Sequence, residues 1–332
     1  MVEYDIVLNN IRLRVICDQK YISEINKLML GHAYIEESKG TPTYRTIIHD
    51  NSKIIIGQKF KLVDKWFDNA TADVYINNIE KTVYLTNIDA SNIKNKNLLV
   101  QYFICNVFNR LLEERGYYAF HSSSVEKNGN GIAFVGRRNM GKTNCMLNMM
   151  SDGFNSVTND KLGIQYDDRN LNGYGIAQDV SIRMDKSFRD QIRNKKYIPF
   201  AEREGVALSE ENKLDGNSIH LDSVELAKLN GVNQVPTTKI KNIIFPKYDK
   251  NIKKVQVTKM NPYNSKIILL EQSLPMVHET TSFLKYIYST DVQINSKDKT
   301  IDKMCTLDNY EIIQGENSTE DFIKTVKKIT NI

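Results

Sequence analysis

The stretch GIAFVGRRNMGKTNCMLNMMSDG, residues 131–153, contains a glycine, four further residues and then Gly-Lys-Thr. The apolar run Ile132–Val135 precedes this pattern and predicts a buried strand that ends at Gly136. After the pattern, apolar residues recur at helical spacing as far as Met150, and Gly153 is a suitable left-handed stop. The sequence therefore predicts a strand, a glycine-containing loop and a helix, in that order.

The predicted loop has the chemistry of an anion site. Its backbone N–H groups and the positive end of the helix dipole converge on one point. Lys142 adds a full charge for the β- and γ-phosphates of a nucleotide, and Thr143 offers a hydroxyl to Mg²⁺. The alternative is a structural turn followed by a surface lysine. The predicted nucleotide-binding residues are Gly136, Arg137, Arg138, Asn139, Met140, Gly141, Lys142, Thr143 and Asn144.

Composition limits the class of protein. The chain of 332 residues is long enough for two domains, and its 41% hydrophobic and 26% charged residues are typical of globular proteins. No apolar run is long enough to cross a bilayer, and the first residues do not resemble a secretion signal. We therefore expect a cytoplasmic protein without a membrane partner.

Charge and cysteine content exclude two further classes of site. The net charge of +5 is spread along the chain rather than gathered in a stripe, so we expect no nucleic acid partner. The four cysteines lie far apart and lack the spacing of metal ligands. We expect reduced, buried thiols.

Residues 1–116 predict a smaller, mainly β, α+β domain. We expect this domain to serve substrate recognition or dimerisation into a homo-oligomer, with pure scaffolding equally open. The predicted elements are a strand at 4–16, a helix at 22–30, hairpins turning at 50–52 and 77–78, and a helix at 97–114 ended by Gly116.

A histidine precedes the phosphate loop on the neighbouring strand. In YYAFHSSSVEKNGNGIAFVG, residues 117–136, a turn at Asn128–Asn130 separates two strands. Antiparallel pairing about this turn places His121 opposite about residue 137, at the start of the loop. The pattern predicts a histidine beside the phosphates, and the alternative is a structural histidine.

A carboxylate follows the loop helix at the end of the next strand. FNSVTND, residues 154–160, predicts a strand whose polar end is Asn159-Asp160, and Asp160 comes 18 positions after Lys142. Mg²⁺ prefers a few oxygen ligands together with phosphates and water, so Asp160 can complete a metal site with Thr143. The alternative for Asp160 is a turn residue.

Later segments predict alternating strands and helices. We expect a hairpin at 161–177, a helix at 222–230 between Asp222 and Gly231, and a strand at 239–246. Ser318 and Asp321 are spaced as a capping box for the last helix.

The sequence also contains patterns of small GTPases. DKLG at 160–163 and NKLD at 212–215 fit the second and the guanine-reading motifs. Only 16 residues separate Thr143 from Asp160, too few for the helix, switch loop and two strands that a GTPase requires there. The residues before NKLD are charged and irregular, so GTPase is the less favoured interpretation.

Residues 117–185 resemble the catalytic domain of HPr kinase/phosphorylase. The histidine strand with His121, the loop Gly136–Thr143, and Asn159-Asp160 in the place of the family's acidic pair carry the resemblance. The segment NGYGIAQDVSIRMD, 172–185, is similar to related kinases of lasso-peptide gene clusters, which phosphorylate a serine hydroxyl on a peptide. The resemblance implies a mixed α/β fold akin to phosphoenolpyruvate carboxykinase over residues 117–332.

The resemblance also implies a reaction, in which the γ-phosphoryl group of ATP passes to a hydroxyl of a peptide, a protein or a small metabolite. Such transfer depends mainly on positioning and on neutralising charge. The implied catalytic residues are His121, Lys142 and Asp160, with Thr143 and Asp160 holding Mg²⁺. Arg183 is a weaker candidate for a further positive charge, and an ordinary surface arginine is the favoured interpretation.

One position departs from the family pattern. The first acidic residue of the pair is thought to take the acceptor's proton in the family, but this chain has Asn159, whose amide cannot act as a base. A non-catalytic nucleotide-binding module is therefore the alternative function.

Overall fold

A computed structural model describes residues 1–29, 31–49, 55–178, 180–183, 192–203, 218–249, 251–287, 296–315 and 318–332. Its contacts divide the chain into two compact units. The first contains Met1–Ala119, Gly163–Arg169 and Ser273–Thr300, and the second contains Phe120–Leu162, Asn170–Gln272 and Ile301–Ile332. The predicted functional boundary after residue 116 stays a prediction.

The first unit contains a sheet and two α-helices before residue 114. Their elements are β1 Val2–Leu8, β2 Ile11–Cys17, α1 Gln19–Met29, β3 Tyr34–Glu37, β4 Tyr44–Ile48, β5 Gln58–Asp64, a 3-10 helix Lys65–Phe67, β6 Ala70–Asn77, β7 Thr82–Asp89 and α2 Ile93–Glu113. Among the described residues the sheet has seven strands in the order β3-β1-β2-β4-β7-β6-β5.

The single strand predicted at 4–16 is wrong, because β1 and β2 form an antiparallel hairpin. Leu8 pairs with Ile11, and Asn9 adopts a left-handed φ of 53° in the turn between them. Asparagine tolerates this conformation better than most residues, so a two-residue turn forms inside a run that otherwise alternates as one strand. Alternation alone does not show where a chain reverses.

Both predicted helices of this region are confirmed, with shifted starts. Helix α1 begins at Gln19, and α2 begins at Ile93 because the side chain of Asn92 accepts a hydrogen bond from the N–H of Asn95. Gly116 follows α2 with a φ of 81°. The cap explains why the apolar periodicity underestimated the length of α2.

The two predicted hairpins differ in outcome. Strands β6 and β7 are antiparallel and pair Asn77 with Thr82, so this hairpin is confirmed with its turn one to two residues later than predicted. Strand β4 instead pairs in parallel with both β2 and β7. The predicted turn at residues 50–52 lies outside the described residues.

The rest of the chain contributes a second large sheet, two further short strands and six helices among the described residues. The main path of the sheet has the order β10-β8-β11-β12-β15-β18-β16, and β9 pairs with β8 and β15. The strands are β8 Tyr118–Lys127, β9 Asn130–Val135, β10 Asn155–Thr158, β11 Lys161–Tyr166, β12 Leu171–Gly175, β13 Val180–Arg183, β14 Ser218–Leu221, β15 Thr237–Tyr248, β16 Gln256–Lys259, β17 Ser273–Leu274 and β18 Asp308–Gln314.

The helices of this part are mostly short. They are α3 Lys142–Met150, α4 Ile198–Arg203, α5 Ser223–Leu229, α6 Pro262–Glu271, α7 Lys297–Cys305 and α8 Thr319–Thr330, with 3-10 helices at Ile192–Tyr197 and Glu279–Tyr286. The mixed α/β class predicted from the sequence is confirmed.

Three parallel strands position the phosphate loop. Strand β15 pairs in parallel with β9 through residues 239–244 and with β18 through residues 242–248. Their carboxyl ends therefore meet at one edge of the sheet, where ligands of open α/β sheets bind. Helix α3 packs onto this sheet through Cys145, Met146 and Met149, which share a buried core with Phe134 of β9.

Several further predictions are confirmed. Strand β10, the hairpin β11-β12, strand β15 and helix α5 lie where the sequence placed them, and Asp222 caps α5. The capping box at α8 is wrong: the Ser318 hydroxyl bonds to Gly315, and Asp321 accepts the N–H of Val255. None of the described helices is long and apolar enough to cross a membrane.

Candidate functional site

The loop from Gly136 to Gly141 connects β9 to the first residue of α3. Asn139 and Gly141 have left-handed φ values of 70° and 87°. Gly141 is the N-cap, and no side chain caps the helix there. The first N–H groups of α3 have no partner within the helix, so they are available to an anion.

The backbone conformation at position 141 favours glycine, and a nearby side chain adds a smaller constraint. A side chain would be strained at a φ of 87°, and a Cβ atom would lie 3.1 Å from Nε2 of Gln314. Nε2 of Gln314 also lies 3.1 Å from Sγ of Cys145, whose N–H donates to the carbonyl of Gly141. The end of the loop is thus held against strand β18.

Lys142 is buried at the start of α3, with 6% of its surface exposed. Its Nζ donates to the carbonyl oxygens of Gly136 at 2.9 Å and Arg137 at 3.1 Å. Burial lowers the pKa of Lys142 to about 8, against the opposing effect of the Asp160 carboxylate. A buried ammonium whose hydrogen bonds to described residues all go to carbonyl groups favours an incoming anion.

The other predicted loop residues differ in exposure. Thr143 and Asn144 are half-buried in the first turn of α3. Arg137 is exposed and pairs with Glu271, the last residue of α6, at 2.9 Å. Arg138 is exposed and, within the described part of the chain, has no ion pair. The loop therefore offers charge at its surface as well as at its base.

His121 lies beside the start of the loop, one residue from the predicted position. The N–H of Gly136 donates to the carbonyl of His121 at 3.3 Å, so the histidine faces residue 136 rather than 137. The turn occupies two residues, Asn128 and Gly129, and Lys127 pairs with Asn130. This two-residue turn shifts the register by one position.

His121 and Asp160 form the polar pair of the site. Nε2 of His121 lies 3.0 Å from Oδ1 of Asp160, and their side chains are 21% and 44% exposed. Burial raises the pKa of Asp160. Hydrogen bonds with His121 and Gln178 and the charges of His121 and Lys142 lower it by a larger amount, so the pKa lies below its usual value. Asp160 is therefore ionised at neutral pH and close enough to Lys142 for their charges to interact.

Asn159 is buried next to Asp160 with 8% of its surface exposed. Its Oδ1 atom has no hydrogen-bond partner among the described residues. A neutral side chain suits this position, because a second buried carboxylate beside Asp160 would be repelled. Asn159 is therefore neutral at the position where an acidic pair would carry a second negative charge.

The donors present fit Mg²⁺ bound mainly through phosphate. The described residues contain no group of three or more His, Cys, Asp or Glu side chains that could hold a metal ion by themselves. Mg²⁺ often uses only one or two protein ligands together with phosphate oxygens and water. Thr143 and Asp160 supply a hydroxyl and a carboxylate of this kind.

Three residues near the predicted site were missed from the sequence. Gln178 bonds to Asp160, Gln314 contacts the end of the loop, and the Ser123 hydroxyl donates to the carbonyl of Lys142 at 2.9 Å. Only Ser123 had a usable signal, because it lies two positions after His121 and so on the same face of β8. The fold brings Gln178 and Gln314 to the site, so no local sequence pattern indicates their contacts.

Two further predicted features are less informative. Arg183 ends β13, which pairs with β14, and its side chain lies outside the described residues. The NKLD motif at 212–215 also lies outside them. Asp160, the first residue of DKLG, lies between β10 and β11 and contacts His121.

Comparison with known proteins gives limited help. No protein-family model matches the chain, and no curated protein matches it. Among solved structures, the Hpr(Ser) kinase/phosphatase from Coxiella burnetii matches with 13% sequence identity, covering 64% of this chain and 93% of that chain. The TM-score is 0.29, which is too low to assign a common fold.

Proposed function

We propose that the chain is an ATP- and Mg²⁺-dependent kinase that transfers the γ-phosphoryl group to a hydroxyl of a peptide, a protein or a small metabolite. The observation that carries this proposal is the convergence of two features in one unit. An uncapped helix N-terminus carries the buried Lys142, and an ionised Asp160 bonded to His121 is within electrostatic reach of it.

The loop residues supply phosphate binding. N–H groups at the start of α3 and the Lys142 ammonium neutralise phosphate oxygens, and the ammonium exchanges its bonds to the Gly136 and Arg137 carbonyls for bonds to the nucleotide. Thr143 and Asp160 would hold Mg²⁺, which would supply positive charge against the charge that develops during transfer. Arg138 adds an exposed charge at the rim of the loop.

The transfer step requires one proton acceptor. The oxygen of the substrate hydroxyl bonds to the γ-phosphorus while the bond from this phosphorus to the β,γ-bridging oxygen breaks. ADP leaves with that electron pair, and the hydroxyl proton passes to a base. His121 suits this role when neutral, because donation from Nε2 to Asp160 leaves Nδ1 as an acceptor. Asp160 orients the imidazole and stabilises it once protonated.

A nucleotide-binding module without transfer is the second candidate function. It is favoured by Asn159, whose amide replaces the expected carboxylate and is buried beside Asp160. A chain of this kind would bind ATP through the same loop but would leave the hydroxyl proton without an efficient acceptor. The GTPase interpretation is weaker and predicts a preference for GTP of a hundredfold or more.

The decisive experiment measures binding and transfer separately. Calorimetry with Mg-ATP and Mg-GTP tests the loop, and we expect ATP to bind without a strong preference for GTP. Transfer is then measured with peptides and hydroxylated metabolites chosen from the products of neighbouring genes. ATP binding with no phosphorylation of any acceptor, by either the natural chain or Asn159→Asp, would establish the binding module instead.

Two variants separate the roles within the polar pair. Asp160→Asn should raise the Mg²⁺ concentration needed for half-maximal turnover, as well as lower turnover. His121→Ala should lower turnover by roughly a hundredfold at an unchanged Mg²⁺ requirement, since general-base assistance is typically worth 10²–10⁴. A fully active His121→Ala enzyme would return the histidine to a structural role.

A further inference from the structure

Three successive residues of β8 contact both charged residues of the site. The imidazole of His121 bonds to the Asp160 carboxylate, and the N–H of Ser122 donates to the Asp160 carbonyl at 2.9 Å. The hydroxyl of Ser123 donates to the carbonyl of Lys142 at 2.9 Å. One short piece of strand is thus bonded to the backbone of both Asp160 and Lys142.

The Ser123 hydroxyl reaches out of its own sheet. Ser123 is fully buried and pairs in register with Phe134 of β9, yet its side chain bonds to the first residue of α3. Ser124 is equally buried, but its hydroxyl donates to Ile132, within the β8-β9 pair, at 3.0 Å. A buried hydroxyl must find an acceptor, and these neighbours find theirs in different elements.

The acceptor of Ser123 is a sensitive position in the helix. The carbonyl of Lys142 lies in the first turn of α3, one residue after the Gly141 carbonyl that accepts the N–H of Cys145, and it has a second lone pair for the hydroxyl. The peptide groups around it carry the N–H donors at the helix N-terminus, and the Lys142 side chain extends from the same residue. Fixing this carbonyl therefore fixes the donors that meet an anion.

We infer that Ser123 is a positioning residue of the phosphate site, whose hydroxyl holds the first turn of α3, and with it Lys142, in place relative to Asp160 before the triphosphate binds. The inference rests on the proposed nucleotide binding but not on phosphoryl transfer. A loop that is ordered in advance loses less conformational entropy on binding, so removal of the hydroxyl weakens affinity for phosphate.

Ser123→Ala and Ser124→Ala form a matched pair. Each variant removes the hydrogen bond that a buried serine hydroxyl of β8 donates to a carbonyl oxygen, so thermal denaturation should show similar losses of stability. Calorimetry should show that Ser123→Ala weakens Mg-ATP binding by roughly fivefold to tenfold, whereas Ser124→Ala stays within about twofold. The same difference is expected with inorganic tripolyphosphate, which probes the loop without a base.

A second pair keeps the test decisive if the alanine variants do not fold. Ser123→Cys and Ser124→Cys keep the shape but replace the hydroxyl by a weaker donor. Reduced ATP affinity in Ser123→Cys alone supports the inference, and equal affinities in the two variants overturn it. If the natural chain itself binds neither ATP nor tripolyphosphate, the proposed function fails rather than the role of Ser123 alone.

Discussion

Two buried charged residues, one in each compact unit, differ in how far the fold compensates their charge. Asp5 of β1 is fully buried and accepts hydrogen bonds from Arg12 at 2.7 Å, Arg14 at 2.9 Å and the N–H of Lys39 at 3.2 Å. Burial raises the pKa of Asp5, but these hydrogen bonds outweigh it and hold the pKa below its usual value. Within the described part of the chain, Lys142 by contrast donates hydrogen bonds to carbonyl groups alone, and burial lowers its pKa to about 8.

Asp5 is a structural charge, whereas Lys142 carries a charge that a bound anion would compensate. Asp5 has its counter-charges within the fold, so its ionised form is stabilised by folding itself. The nearby Asp160 does not fully offset the burial of Lys142, so folding disfavours the charged lysine. A phosphate group would supply the missing negative charge.

The largest effect is on stability. Asp5→Asn leaves Arg12 and Arg14 without their shared carboxylate, so we expect a loss of about 3 kcal/mol in the free energy of unfolding. Lys142→Met removes an incompletely compensated charge and should leave stability unchanged or higher. Urea denaturation followed by circular dichroism measures both variants. Equal losses would mean that Lys142 is as well compensated in the fold as Asp5.

The second effect is on nucleotide affinity. Lys142→Met should weaken Mg-ATP binding roughly tenfold to a hundredfold, because it removes a charged hydrogen bond to phosphate. Lys127→Met is the matched control, since Lys127 donates to the carbonyl of Asp152 at 3.2 Å and lies over Phe154, at the other end of β8. Calorimetry should find the control within about twofold of the natural chain. Similar losses in both variants would argue against a special role for Lys142.

The third effect concerns the neighbour of Asp160. Asn159→Asp should raise the transfer rate about tenfold, because it adds a proton acceptor beside the site. Burial and the charge of Asp160 should raise the pKa of the introduced carboxyl, so the gain should grow as pH rises. Rates with one acceptor between pH 5.5 and 8 measure this. A gain that is independent of pH would show that the carboxyl is fully ionised throughout.

The smallest effect is a pH dependence set by Lys142. Its pKa of about 8 in the folded chain lies below the ordinary lysine value, so ATP affinity should fall as pH rises through about 8 and the ammonium is lost. Stability should rise over the same interval up to about 10.4, because there the unfolded chain binds the proton that the folded chain has released. Calorimetry and denaturation at pH 7 and 9 should show both trends, and Lys142→Met should abolish them.

Local features of the site could be predicted because they depend on neighbours in the chain. The strand, loop and helix around Lys142 follow from apolar spacing and from glycines at 136 and 141. The turn at Asn128-Gly129 fixed the neighbourhood of His121 to within one residue. After α3, one short strand, β10, leads directly to Asp160. Each of these features depends on residues that are close together in the chain, so a local sequence pattern predicts it.

Other features were decided only by tertiary structure. The parallel pairing of β4 with β2 and β7, the contacts of Gln178 and Gln314 with the site, and the burial of Asn159 each join segments far apart in the chain or depend on their packing. The same holds for the different states of Asp5 and Lys142, since both are single charged residues in the sequence. The sequence determined which groups can bind phosphate, but solvent exclusion and long-range hydrogen bonds determined which charge is compensated within the fold and which favours a ligand.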